Sequence, residues 1–193
     1  MIQKQLTLFI LLISTLTQTE PMYKTAYADT TVSSSMRIPV KDDLPKVDDI
    51  KEYKRDIIKK QEEQERLALE RKEKIKQEQI YLLAQIIHAE AKGEPYKGKI
   101  AVGNVVMNRV KSEQFPDTIG EVIFQKGQFS PVSDGSIYNT PGDDSLRAAK
   151  EVYNGTKVVG NDVLYFYNPD TSTSGWIYTR QTVMSIGNHR FAM

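Results

Sequence analysis

The sequence contains no cysteine. That excludes disulfides, a thiol nucleophile, iron–sulfur clusters and cysteine-ligated zinc. Histidine is almost as scarce. His88 and His189 are the whole supply, too few for a histidine-rich metal site, so no metal and no cofactor is expected. An excess of one charge is missing too: 26 Lys and Arg against 25 Asp and Glu leave a formal charge of +1. A nucleic-acid binder held by a basic surface is therefore not expected. No Walker loop, dinucleotide glycine fingerprint, Gly-x-Ser-x-Gly elbow or His-Glu-x-x-His occurs. His88-Ala89-Glu90 has the His-x-Glu order of zinc deaminases, but their Pro-Cys-x-x-Cys partner is impossible without cysteine.

Glycine is absent from the first 92 residues, and 13 of the 17 aromatic residues lie at or after Tyr81. The N-terminal part therefore has little with which to turn tightly or build a core. Lys4, the largely apolar stretch Leu6 to Leu16 and the small-x-small sequence Ala26-Tyr27-Ala28 read as a signal peptide over 1–28, which implies export. The apolar stretch covers too little of an about 20-residue membrane span for a stable anchor, although an uncleaved anchor is the alternative. Residues 29–49, rich in Ser, Thr and Asp with Pro39 and Pro45, read as a disordered leader.

Residues 50–79 read as a charged helical spacer. From Lys51 to Gln79, 18 of 29 residues are charged and none is Pro or Gly, and Glu–Lys pairs such as Glu70 with Lys74 favour helix. Ile50, Tyr53 and Ile57 fit a heptad seam, but Gln64 and Arg71 occupy its next positions. A durable coiled coil needs a sustained seam, so Lys51–Gln79 offers at most weak self-association or a protein contact.

Residues 80–193 carry enough apolar chain to bury a core. Ile80, Leu83, Ile86 and Ile87 have helical spacing until Gly93. Pro95 suits a first helical position, and Ile100 to Lys111 continue as helix. Thr118-Ile119-Gly120-Glu121 is a capping-box pattern. Thr140-Pro141 opens a helix that ends near Asn154, with Gly155 beyond it. Val163 to Tyr167, Trp176 to Thr179 and Thr182 to Ile186 then read as strands, separated by Asn168-Pro169 and Ser174-Gly175 turns. Helices followed by a small antiparallel sheet make an α+β domain.

The residues best placed for chemistry run from His88 to Tyr96. Glu90 falls three residues after Ile87, at the lip of the core. Half-burial there disfavours the charged carboxylate and raises its pKa towards that of a general acid; an exposed glutamate on a helix end is the plainer alternative. Glu94, before Pro95, is expected to serve the helix start, where an acid complements the helix dipole.

Ala89-Glu90-Ala91-Lys92-Gly93-Glu94-Pro95-Tyr96-Lys97-Gly98-Lys99-Ile100-Ala101-Val102 closely resembles the opening motif of the SleB/CwlJ cell-wall hydrolases, the spore-cortex-lytic enzymes of endospore formers. The resemblance continues through Asn108-Arg109-Val110, Phe115-Pro116, Gln128-Phe129-Ser130, Tyr165-Phe166-Tyr167-Asn168-Pro169 and Ile186-Gly187-Asn188-His189-Arg190-Phe191. It implies a lysozyme-like fold, related to lytic transglycosylases and resuscitation-promoting factors, with peptidoglycan as substrate. It also maps the family's catalytic glutamate onto Glu90. Lys92 replaces a common Arg, and the charged spacer stands where SleB has peptidoglycan-binding repeats.

One carboxylic acid suffices for the implied transglycosylase chemistry, whereas hydrolysis wants a second acid roughly 5–9.5 Å away. Asp134 is the candidate for that second acid, with an Asp-Gly turn as the duller account. For sugar contacts the candidates are Tyr165, Tyr167 and Trp176, which can stack on pyranose faces, together with Gln128 and, more weakly, Ser130. His189 is expected to be a structural histidine bonded to backbone, and His88 to be packing or surface. The competing readings are an N-acetylmuramoyl-L-alanine amidase, a non-catalytic glycan-binding module, and an adaptor working through Lys51–Gln79.

Overall fold

The computed structural model describes residues 46–193; the signal-like segment and nearly all of the leader lie outside them. Two units divide the chain, Met1–Ile57 and Ile58–Met193. Of the first, residues 46–57 are described; they are exposed, and helical from Val47. Residues 47–49, expected in the irregular leader, are thus already helical. Asp48 and Asp49 supply acids to that first turn, and the Asp49 carboxylate accepts from the Lys46 N–H at 3.2 Å.

Helix α1 spans Val47–Ala91. From Ile58 to Glu78 its residues are mostly exposed and laced with local ion pairs, Arg66 reaching Glu63 at 2.6 Å and Glu70 at 2.5 Å. Glu70 therefore pairs backwards with Arg66 rather than forwards with Lys74. Such exposed pairs contribute little each. Burial begins at Ile80, and Leu83, Ala84, Ile86 and Ile87 are fully buried.

Helix α2 (Tyr96–Val110) packs a nearly continuous apolar face, with Ala101, Val102, Val105 and Val106 fully buried. Pro95 is its N-cap residue, one position earlier than expected. Gly103 lets three helices meet: a Cβ there would lie 2.9 Å from Ile87 Cδ1 and 3.1 Å from Val152 Cγ2. Helix α3 (Ile119–Phe124) is capped by Thr118, whose Oγ1 accepts from the Glu121 N–H at 3.2 Å and donates to Glu121 Oε2 at 2.7 Å. Helix α4 (Ser130–Asp134) is a short helix that the sequence did not announce.

Helix α5 covers Asp143–Tyr153, opening at Gly142 rather than at Thr140-Pro141. Its end is a Schellman motif. Gly155 sits at φ 104°, its N–H donating to Val152 O, while the Thr156 N–H donates to Glu151 O, both at 2.9 Å.

The sheet comprises β1 (Tyr165–Tyr167), β2 (Thr182–Ile186) and β3 (His189–Ala192), antiparallel in the order β1-β3-β2. Two strand expectations need correction. Residues Gly175–Thr179 form a 3-10 helix, not a strand, and the third strand is His189–Ala192. Tyr165 pairs with Ala192 and Phe166 with Phe191, a register no local pattern specifies.

Buried polar groups on α2 set where β1 begins. Asn104 Nδ2 donates to Thr156 O and its Oδ1 accepts from the Val158 N–H, both at 2.8 Å. Asn108 Nδ2 donates to Gly160 O at 2.7 Å and Val163 O at 3.0 Å, and Arg109 Nε donates to Leu164 O at 2.8 Å. A helix face carrying amides at i and i+4 thus replaces the missing backbone partners of the segment that delivers Tyr165.

Candidate active site

Glu90 occupies the last turn of α1, next to Ala91, which is buried against the core. Its carboxyl is half-buried, and loss of hydration pushes its pKa from 4.5 up to about 7. The negative charge of Asp134 pushes in the same direction, and the Arg109 guanidinium opposes both. The negative end of the helix dipole also disfavours a carboxylate here. Near neutral pH such an acid is partly protonated, the state needed to donate a proton and then take one back.

Arg109 is the buried cation of the site. Burial lowers its pKa to about 10, so it stays charged at neutral pH, with Tyr165 and Glu90 favouring that charge. The guanidinium carbon lies 4.9 Å from the Phe115 ring, 5.2 Å from Phe129 and 5.7 Å from Tyr165. Its Nη1 is buried without a hydrogen-bond partner. The rings fix the plane of the cation while its charge reaches Glu90.

Arg109 also lines a cleft of about 480 Å³ in which Gln128, Tyr165, Tyr167 and Trp176 come together. Four of the five expected sugar contacts therefore share one wall. Tyr165 meets Trp176 edge-on at 5.2 Å, and Tyr167 meets Tyr178 edge-on at 5.3 Å. Tyr178 anchors the rim, its hydroxyl donating to Pro169 O at 3.0 Å and Ser172 O at 3.1 Å. Trp176 is 50% exposed, which leaves ring surface open to an apolar sugar face beside the Arg180 guanidinium 4.4 Å away. Phe166 also borders the cleft, and its ring packs against Phe129, His189 and Phe191.

Ser130, the first residue of α4, and Glu90 itself are not part of that wall. Glu90 is tied to the cleft through Arg109. Asp134 is exposed and engaged in a turn: its Oδ1 accepts from the Ser136 N–H at 2.8 Å, and Gly135 follows at φ 80°. Hydrogen bonding from the Ser136 side chain, and then from its N–H, holds the Asp134 pKa low, so it is a charged neighbour of Glu90 rather than a second acid with a free carboxyl.

Glu94 is structural, though not by the expected route, since no acid lies in the first turn of α2. Its oxygens accept from the Asn188 N–H and Asn188 Nδ2, each at 3.0 Å. His189 is buried against Phe166 with its Nδ1 unpartnered, so rings rather than a backbone bond at that atom hold it. His88 Nδ1 accepts from the Gly142 N–H at 3.2 Å and so helps fix the start of α5.

The profile of the family described as Cell Wall Hydrolase matches residues 93–192, just over half of the chain. The chain belongs to this family. The spore cortex-lytic enzyme of Oceanobacillus iheyensis is 46% identical over 115 residues, which are 60% of this chain and 41% of that protein. The spore cortex-lytic enzyme of Bacillus subtilis is 42% identical over 112 residues, 58% of this chain and 36% of that one. The matched stretch thus spans about two-fifths of the length of these relatives. Cell wall hydrolase CwlJ of Bacillus subtilis is 29% identical over 117 residues, 58% of this chain and 82% of that protein.

Among solved structures, the catalytic domain of the germination-specific lytic transglycosylase SleB from Bacillus anthracis superposes with a TM-score of 0.57 at 43% identity. It covers 60% of this chain and 93% of that one. The fold is thus that of the SleB catalytic domain, a lysozyme-like α+β arrangement, as the sequence resemblance implied.

Sequence reasoning missed Arg109 as a site residue. Its one local signal was a cation that, with Asn104 and Asn108, interrupts the apolar run from Ile100 to Val110. For Tyr178, whose role depends on a loop folding back to it, no local signal existed.

Proposed function

We propose that this chain is an exported peptidoglycan lytic enzyme that cleaves the bond between N-acetylmuramic acid and N-acetylglucosamine as a lytic transglycosylase. The observation that carries this reading is a half-buried Glu90 with its pKa raised to about 7, coupled through Arg109 to an aromatic cleft. The names of the relatives support it, and they favour spore cortex, opened at germination, as the substrate.

Neutral Glu90 donates its proton to the glycosidic oxygen leaving C1 of muramic acid, and the C1–O bond breaks with oxocarbenium character at C1. Trp176 and Tyr165 stack on sugar rings in the cleft, and Gln128 and Tyr167 offer hydrogen bonds to their substituents. The Glu90 carboxylate, steadied by the Arg109 charge, then takes the proton of the sugar's own C6 hydroxyl. That oxygen attacks C1, closes a 1,6-anhydro ring and returns Glu90 to its neutral form. No water is consumed, so no second acid is required, which suits an Asp134 engaged in a turn.

In this reading the catalytic module begins at Ile80, the helical stretch Lys51–Gln79 is a spacer with at most weak self-association, and the leader is removed after Ala28. The test of the activity is release of soluble muropeptides from purified cortex and vegetative walls. Wild type should lower the turbidity of at least one, and Glu90→Gln should be slower by at least ~10²-fold. A Glu90→Gln variant as fast as wild type would overturn the assignment.

A further inference from the structure

Tyr165 lines a second cavity of about 590 Å³, and it is the one wall residue shared with the sugar cleft. The side chains bordering this second space include three cations, Lys111, Lys157 and Arg180, against one acid, Asp162. Among the described residues none of the three cations forms an ion pair. Lys157 Nζ donates to the neutral Asn161 side chain. The Arg180 guanidinium lies 5.0 Å over Tyr165 and 4.4 Å over Trp176, with its Nε buried and unpartnered. It therefore joins the two spaces, laying charge on the rings that face the sugar.

Three cations against one acid leave an excess of positive charge around this concavity, which favours an anion, and a buried N–H without an acceptor costs free energy until one arrives. The groups most readily brought there by a glycan strand in the cleft are the carboxylates of the peptide stem on muramic acid. We infer that the Lys111–Lys157–Arg180 cavity is a subsite for a carboxylate of that stem. This rests on the proposed cleavage of peptidoglycan and adds a specificity that the sugar cleft alone does not supply.

Uncrosslinked glycan strands with stems intact, and the same strands with stems removed, separate the two claims. Wild type should show a KM roughly three- to tenfold lower on the stem-bearing strands, the size that two or three partly exposed ion pairs provide. The double variant Lys111→Gln/Lys157→Gln should lose most of that preference with kcat little changed. Lys111→Arg/Lys157→Arg should retain it, which guards against misfolding as the cause. Equal KM on both strands for wild type would overturn the subsite alone. So would a glutamine variant whose KM rises equally on both, since that is general attraction. A wild type that opens neither strand would overturn the proposed activity and the subsite with it.

Discussion

Glu94 holds Asn188 with both oxygens of its carboxylate, one on the backbone N–H and one on the side-chain amide, each at 3.0 Å. This clasp fastens the start of α2 to the two-residue turn between β2 and β3. Gly187 in that turn has φ 58°, the left-handed value expected of glycine opening a type II′ turn, and a Cβ there would collide with the Glu94 carboxylate. Glu90, four residues earlier in the same motif, has its pKa raised by burial and neighbouring charge. Two acids one helical turn apart in sequence thus serve structure and chemistry separately.

Removing the clasp should cost stability rather than chemistry. Glu94→Ala removes two hydrogen bonds from the exposed Asn188 to a charged carboxylate, so it should destabilise the fold by about 1–3 kcal/mol. Thermal unfolding should show this loss, while kcat measured well below the transition should change little.

Glu90 carries a pH-dependent load on the fold. Its pKa is about 7 folded against 4.5 as the ordinary value. As pH rises from 4.5 to 7 the unfolded chain releases its proton first, so stability falls through that window and stays lower above it. Glu90→Gln should therefore match wild type near pH 4 and exceed it by up to about 3 kcal/mol at pH 8. Unfolding midpoints at the two pH values read this directly.

Arg109 lowers the Glu90 pKa, so neutralising it should move the alkaline limb of the rate upwards. Arg109→Gln is expected to shift that limb to higher pH, besides losing the cation stacked on three rings. Arg109→Lys keeps the charge and should leave the limb nearly in place. A pH profile of kcat for both variants distinguishes a charge effect from simple loss of packing.

Trp176→Ala should weaken binding more than turnover. Loss of one exposed stacking ring corresponds to roughly 0.5–1.5 kcal/mol, or about two- to tenfold in KM. Phe166→Ala, by contrast, should act through stability, since that ring packs against Phe129, His189 and Phe191.

The helices were legible because burial there follows a 3.6-residue period, as at Ile80, Leu83, Ile86 and Ile87. The strand expected at Trp176–Thr179 failed for a physical reason. Its aromatic and β-branched residues resemble strand, but Trp176 and Tyr178 are held by Tyr165 and Tyr167, ring contacts across the cleft that sequence spacing does not encode. His189–Ala192 is the central strand, paired with Thr182–Ile186 across the Gly187-Asn188 turn and with Tyr165–Tyr167 over twenty residues earlier. The second pairing has no local signal, whereas the Gly-Asn hairpin was a local signal that went unread. Glu90 was legible as a residue at the lip of a helix. The buried Arg109 beside it was not, because the rings that hold it come from three separate segments.

The most direct test of the account is the mass of the muropeptides that wild type releases from stem-bearing glycan. If Glu90 alone serves as acid and base, the products end in 1,6-anhydro-muramic acid and are lighter by one water than hydrolysed ends. Reducing muramic acid ends would contradict this, requiring a captured water and a second acid such as Asp134. Free peptide stems with intact glycan would contradict glycosidic cleavage altogether.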